Sequence, residues 1–166
     1  MTALFISRED LVRHTPLSGN IDMDKVLHFV KIAQDIHVQG LLGTPLYERI
    51  QTDILASTLT GDYLALVNNY VKPVLIQYTF LEFLPFAQYT LGNKGVFKKT
   101  SENGDNPSVE EVDRMKEATR DTAEHYARRL ADHLRHYAHD LYTEYLTAQK
   151  DEIHPQRDIT FGGWNI

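Results

Sequence analysis

Apolar residues recur at helical spacing along most of this chain, and the breaks between them divide it into an arm, a helical core and a tail. Met23, Val26, Leu27, Val30 and Ala33 or Gln34 fall three and four residues apart, the mark of an amphipathic helix. Asn20 or Asp22 can cap its start, and Gly40 is a plausible stop. A short second helix carries Leu46, Tyr47, Ile50 and Ile54, with Thr44 as its cap and Pro45 in the first turn. From Tyr63 to Leu91 apolar residues point all round a helix, as they do at the centre of a bundle or between subunits. Pro73 and Pro85 should each start a new segment or kink the old one, giving joined helical pieces.

The strongest break is 92–107, which holds glycines, asparagines and a proline around a β-prone patch at Val96-Phe97-Lys98-Lys99. It reads as a projecting loop or hairpin. Ser108 and Glu111 then form a capping box. Beyond it Val112, Met115, Thr119, Thr122, Tyr126, Leu130, Leu134, Tyr137, Leu141 and Tyr145 keep the helical period, for a helix roughly 55–60 Å long. That is longer than a lone globule of this size needs, so part of it should pack on a neighbour. At the other end, residues 1–20 form an arm with one short helical piece, capped by Ser7 and interrupted at His14-Thr15-Pro16. Residues 151–166 form an extended tail. The fold class that follows is all-α: a bundle of about four to five helices over 21–150, with a long C-terminal helix.

At 166 residues the chain suits one domain, and 42% hydrophobic with 24% charged residues argues against wholesale disorder. The formal net charge of -6 argues against a protein that coats nucleic acid, though not against a channel through which DNA slides without sticking. Without cysteine there are no disulfides, thiolate metal sites or cysteine nucleophiles. The N-terminus lacks the basic region of a signal peptide. The most apolar stretch, Pro73 to Leu91, contains Glu82 and Pro85, which suit a membrane poorly. A soluble, intracellular protein is the expectation.

Little here resembles catalytic chemistry. His125, His133, His136 and His139 share the last helix with Glu124, Asp132 and Asp140, but steps of three swing around the axis and Arg128, Arg129 and Arg135 would repel a cation. A solvated, mixed-charge face fits better than a metal site. The serines lie at caps and in loops, no Gly-x-Ser-x-Gly elbow occurs, and the short Gly92-Asn93-Lys94-Gly95 run is no phosphate loop. No enzyme, metal or cofactor is expected.

Contact surfaces are more legible. Phe161, Trp164 and Ile166 lie in a tail with no regular period, so they must dock on their own domain or on another chain. Gly162 and Gly163 let that tail pass close to another backbone. Tyr142 and Tyr145, at the end of the overlong helix, are candidate interface residues as well as candidate core. Phe97, Lys98 and Lys99, with Lys94, form a loop tip able to touch an acidic surface or a phosphate backbone, or simply a soluble hairpin.

One pattern resembles a known family. Leu41-Leu42-Gly43 ends the first helix, Pro45-Leu46-Tyr47 starts the second, and a hydrophobic helical stretch opens at Gly61-Asp62-Tyr63. A polar loop and a long amphipathic helix follow. By element order over 21–146, this resembles the small helical head–tail connector, or neck adaptor, proteins of tailed bacteriophages. The resemblance implies a virion protein that forms a homo-oligomeric, commonly dodecameric, ring between the portal protein and the tail or neck proteins. It would line a channel through which DNA passes without specific binding, with no membrane involved. By position, 155–166 would reach the portal and 92–107 would face neighbouring ring components. The alternative is a bacterial helical adaptor or regulatory protein that binds a partner through its C-terminal tail.

Overall fold

The helical periods become five continuous helices among the described residues of a computed structural model, which cover 3–17, 23–87, 89–92, 95–98 and 107–156. Helix α1 is Arg8–His14. Helix α2 is α-helical over Met23–Ala33, widens to a π-helical turn at Gln34–Val38, and returns to α over Gln39–Leu42. Helix α3 is Thr44–Leu55. Helix α4 runs over Gly61–Leu66, a second π-helical turn at Val67–Val71, and Lys72–Phe83, then tightens to a 3-10 turn at Leu84–Phe86. Strands β1 (Tyr89–Gly92) and β2 (Gly95–Lys98) pair antiparallel, Tyr89 opposite Lys98 and Gly92 opposite Gly95. Helix α5 is Val109–Leu141, and a 3-10 turn at Thr143–Leu146 follows it. Among the described residues the chain is all-α apart from this hairpin, whose second strand falls on the β-prone patch.

The capping box expected at Ser108 forms, and Ser7 caps α1 through a second one. Ser7 Oγ accepts from the Asp10 N–H at 3.2 Å while the Asp10 carboxylate accepts the Ser7 N–H at 2.9 Å. Ser108 and Glu111 repeat the exchange at 3.2 and 2.7 Å. The joined pieces of α4 have a physical cause. The Lys72 N–H reaches back five residues to the Val67 carbonyl, and Pro73, which has no N–H to give, follows at once. Widening the turn absorbs the missing donor, so winding changes and the helix continues. Pro85 falls in the tightened turn that ends α4.

Helix α4 is the axis of the bundle. Val74, Leu75 and Ile76 are consecutive and all buried, which requires neighbours on more than one side. Those neighbours are α2 and α5, with α1 against one flank. Helix α5 packs on α4, and its buried face is Ala123, Ala127, Leu130, Ala131, Leu134 and Ala138, of which the four alanines permit close approach. Helix α5 is shorter than its sequence period suggests. Tyr142 leaves the helix at φ -131°, ψ 64°, and the chain folds back into the 3-10 turn. The helix spans about 50 Å rather than 55–60 Å.

The two extended ends of the described chain are held at opposite ends of one stretch of α2. Gln34, wholly buried, accepts the Phe5 N–H at 2.9 Å through Oε1 and donates to the Ala3 carbonyl at 2.8 Å through Nε2. The same Nε2 donates to the Tyr47 hydroxyl at 3.1 Å, which in turn donates to Asp35 at 3.0 Å. Burial, and then the neighbouring Asp35, push the Tyr47 phenol up to about 12, so it stays a neutral donor. Asp35 also takes Lys31 on its outer side. The other end of the chain docks at the α2–α3 elbow. Gln156 N–H donates to the Gly40 carbonyl at 2.8 Å, Thr44 N–H to the Ile153 carbonyl at 3.0 Å, and Ile153 N–H to Thr44 Oγ1 at 3.1 Å. Pro155 is buried on Gly43, whose φ is +75°. A Cβ there would lie 2.7 Å from Pro155 Cγ. Thr44 is therefore not the cap expected of it: Gly43 holds that position, and the Thr44 hydroxyl serves the tail. The first helix likewise stops at Gly43 and not at Gly40.

Two substitutions test these anchors. Gln34→Leu orphans the Phe5 N–H and Ala3 carbonyl and should cost about 2–4 kcal/mol in urea unfolding. An unchanged midpoint would mean that the arm is held some other way. Gly43→Ala combines a left-handed φ with a clash and should cost about 1–3 kcal/mol, while exposing the Lys150 peptide bond to faster trypsin cleavage.

Candidate interaction surfaces

Tyr142 and Tyr145 are core, not interface. Each is 2% exposed, because the chain turns back after Leu141 and tucks both rings beneath the starts of α3 and α4. Tyr142 packs edge-on to Tyr63 at 5.6 Å, and its hydroxyl donates to the Asp62 carbonyl at 3.3 Å. Glu144 locks the same corner. It accepts from Tyr63 at 2.6 Å and from Arg49 at 3.1 Å, and Arg49 also binds Asp53 at 2.8 Å. Burial, and then the Glu144 carboxylate, push the Tyr63 phenol up to about 12. The helical spacing that suggested a contact surface describes a seam inside one chain.

The other candidate contact residues are distributed differently. Phe97 and Lys98 stand on β2, opposite Thr90 and Tyr89. Lys99, Phe161, Gly162, Gly163, Trp164 and Ile166 lie outside the described residues. The tail's first part, up to Gln156, docks on its own domain at the α2–α3 elbow.

The histidines of α5 do not converge. His133 stacks on Tyr70 at 4.0 Å and lies 3.3 Å from the Tyr142 hydroxyl. His136 sits edge-on to Tyr137, and His139 lies in solvent beside Asp140. Among the described residues no three histidine or carboxylate side chains are placed to share a metal ion. A further histidine, His37, lies in a groove of about 430 Å³ between α2, α4 and α5. There His37 stacks on Tyr78 at 3.8 Å and pairs with Glu82 at 2.9 Å. Burial raises the Glu124 carboxyl in the same groove, against the pull of Arg128 and Arg120. No described helix is long and apolar enough to cross a membrane.

The informative surface is the first half of α5. From Val109 to Thr122 no residue is buried, whereas from Ala123 onward every turn contributes to the core. Val109 is 72% and Met115 44% exposed. Phe86, 53% exposed, packs its ring against Phe29 of α2 at 5.3 Å. Tyr89, at the root of the hairpin, is 46% exposed. Along this half the bundle covers the stripe only in part: Val112, Lys116 and Thr119 are half-buried while Val109 and Met115 are open. The contact residues that sequence reasoning chose on this helix, Tyr142 and Tyr145, lie beyond its other end.

His133 yields a pH dependence. Burial, and then the charge of His136, hold its pKa below the ordinary 6.5. The unfolded chain therefore binds the proton more readily, and stability rises with pH through this window. The contribution is complete above 6.5 and is lost as pH falls through the lower folded value. Between about pH 7.5 and 5.5 the melting temperature should fall less steeply in His133→Gln than in the parent chain. Equal slopes in thermal melts would rule this group out.

Residues 38–154 match the model of a family of unknown function (DUF6712). No curated protein and no solved structure matches the chain.

Proposed function

We propose that this chain, which belongs to the DUF6712 family, is a structural subunit of a tailed-phage particle: a neck adaptor that assembles with copies of itself between portal and tail. The phage role rests on the resemblance carried by Leu41-Leu42-Gly43, Pro45-Leu46-Tyr47 and the order of elements. The observation that carries the assembly itself is the first half of α5, where no residue is fully buried and Val109 and Met115 are exposed. A helix that keeps its apolar period where its own bundle covers it only in part presents a surface for another chain. In this reading the subunits form a dodecameric ring, the tail beyond Gln156 engages the portal, and the hairpin faces other neck proteins. The net charge of -6 suits a channel wall past which DNA moves without adhering. Catalysis, metal and cofactor have no part in it, and the finished particle is where the protein resides.

Two variants test this without disturbing the core. Val109→Glu with Met115→Glu changes only exposed positions, so helical circular dichroism should persist while ring assembly, followed by mass photometry or negative-stain imaging, falls at least about tenfold. Truncation after Gln156 keeps Pro155 on Gly43 and should leave the melting temperature unchanged while abolishing capture by portal protein. A parent chain that stays monomeric at high concentration and ignores portal would end the proposal.

A further inference from the structure

A second groove, of about 490 Å³, opens between α1, α4 and α5 beside the π-helical turn of α4. Its walls include Asp10, His14, Asn68, Lys72, Gln77 and Arg129, so nitrogen donors outnumber carboxylates. The one carboxylate is heavily engaged. Asp10 Oδ2 accepts from the Ser7 N–H at 2.9 Å and the Ser7 hydroxyl at 3.0 Å, and Lys72 Nζ lies 3.4 Å away. Arg129 is differently placed. Its guanidinium lies 5.5 Å from the Tyr70 ring centroid and 5.9 Å from that of Tyr126, and among the described residues no carboxylate pairs with it. Two tyrosine rings flank the guanidinium while leaving its N–H groups to make bonds elsewhere.

From this we infer that the groove is a binding site for a carboxylate side chain presented by a peptide segment of a partner protein. Arg129 would take the carboxylate through paired N–H bonds, as guanidinium and carboxylate geometry favour. The amides of Asn68 and Gln77 and the ammonium of Lys72 supply further donors around it. Pro73, Ile76 and the Tyr126 ring offer apolar surface for the aliphatic stem of a glutamate. Size and charge favour a peptide over a polynucleotide. The groove suits a few residues, and a chain of net charge -6 repels an extended polyanion. The inference does not depend on ring assembly or on a phage partner: the groove lies away from Val109 and Met115, and neither residue lines it.

The test is NMR titration of the full chain, at constant ionic strength, with the capped peptide acetyl-Leu-Glu-Leu-amide. The controls are its glutamine analogue and inorganic phosphate. The glutamate peptide should shift the side-chain amides of Asn68 and Gln77 and the Arg129 Nε signal in a saturable way. Arg129→Gln should weaken it about tenfold or more, and Arg129→Lys should restore part of the loss. Both variants change an exposed side chain and should melt with the parent. Equal binding of the glutamine peptide, an Arg129→Gln chain that binds as tightly as the parent, or saturation by phosphate alone would each overturn the assignment. So would no saturable shift with any probe.

Discussion

Extended chain lying on a helical protein faces a problem that a sheet protein does not: its backbone N–H and C=O groups find no neighbouring strand. Much of this fold depends on how α2 and its elbow solve that. For the arm, the solution is one side chain. Gln34 offers an acceptor and a donor at the spacing of the Phe5 N–H and Ala3 carbonyl, and so stands in for a stretch of strand. For the tail, the solution is the helix ends themselves. The Gly40 carbonyl falls in the last turn of α2 and the Thr44 N–H in the first turn of α3, where intrahelical partners run out. Residues 153–156 complete both, and Pro155 lies where Gly43 has no side chain. The interruption between two helices is thereby the docking site for a segment more than a hundred residues away in sequence.

The widened turns belong to the same design. In α2 the π-helical turn begins at Gln34, the residue that must face inward to hold the arm, and it carries His37 to the side facing Glu82 and Tyr78 on α4. In α4 it precedes Pro73 and carries Tyr70, on which His133 of α5 stacks. Each wide turn lets a helix change which residues it points at a neighbour without ending. A bundle whose central helix is buried on several sides needs such freedom, because one regular period cannot match α1, α2 and α5 together.

Several of these features were legible in the sequence. Ser7-Asp10 and Ser108-Glu111 are local signals, and each begins a helix where it should. The all-round apolar run after Gly61 pointed to a helix at a bundle centre or between subunits, and the β-prone patch after Gly92 to a loop or hairpin; the first is the central helix and the second a hairpin. Other features were hidden because their causes are distant. No glycine or proline marks the end of α5 at Leu141, and the apolar period runs straight on to Tyr145. What breaks it is the pull of Tyr142 and Tyr145 into a seam made by α3 and α4. The pairing of Pro155 with Gly43 is likewise invisible along the chain. A Gly-Thr-Pro step reads as helix stop and helix start, and nothing in it shows that the glycine also makes room for the tail. The groove beside Arg129 needed three helices in place before its donors converged.

The two halves of α5 differ in composition as well as burial, and the difference bears on what each half is for. From Ala123 the inward positions are alanine and leucine, suited to close contact with a single partner helix, α4. Before it they are Val112, Met115, Thr119 and Thr122: one β-branched aliphatic, one adaptable thioether and two hydroxyls that bond back to their own helix. Such a face is too polar for a sealed core and too apolar for solvent alone. Surfaces that must be soluble before assembly and adherent afterwards have this mixed character. Methionine in particular accommodates a partner whose contour is not fixed in advance. The bundle's demand for full burial begins at Ala123; in the preceding turns Val112, Lys116 and Thr119 are only half-covered, and Val109 and Met115 are exposed.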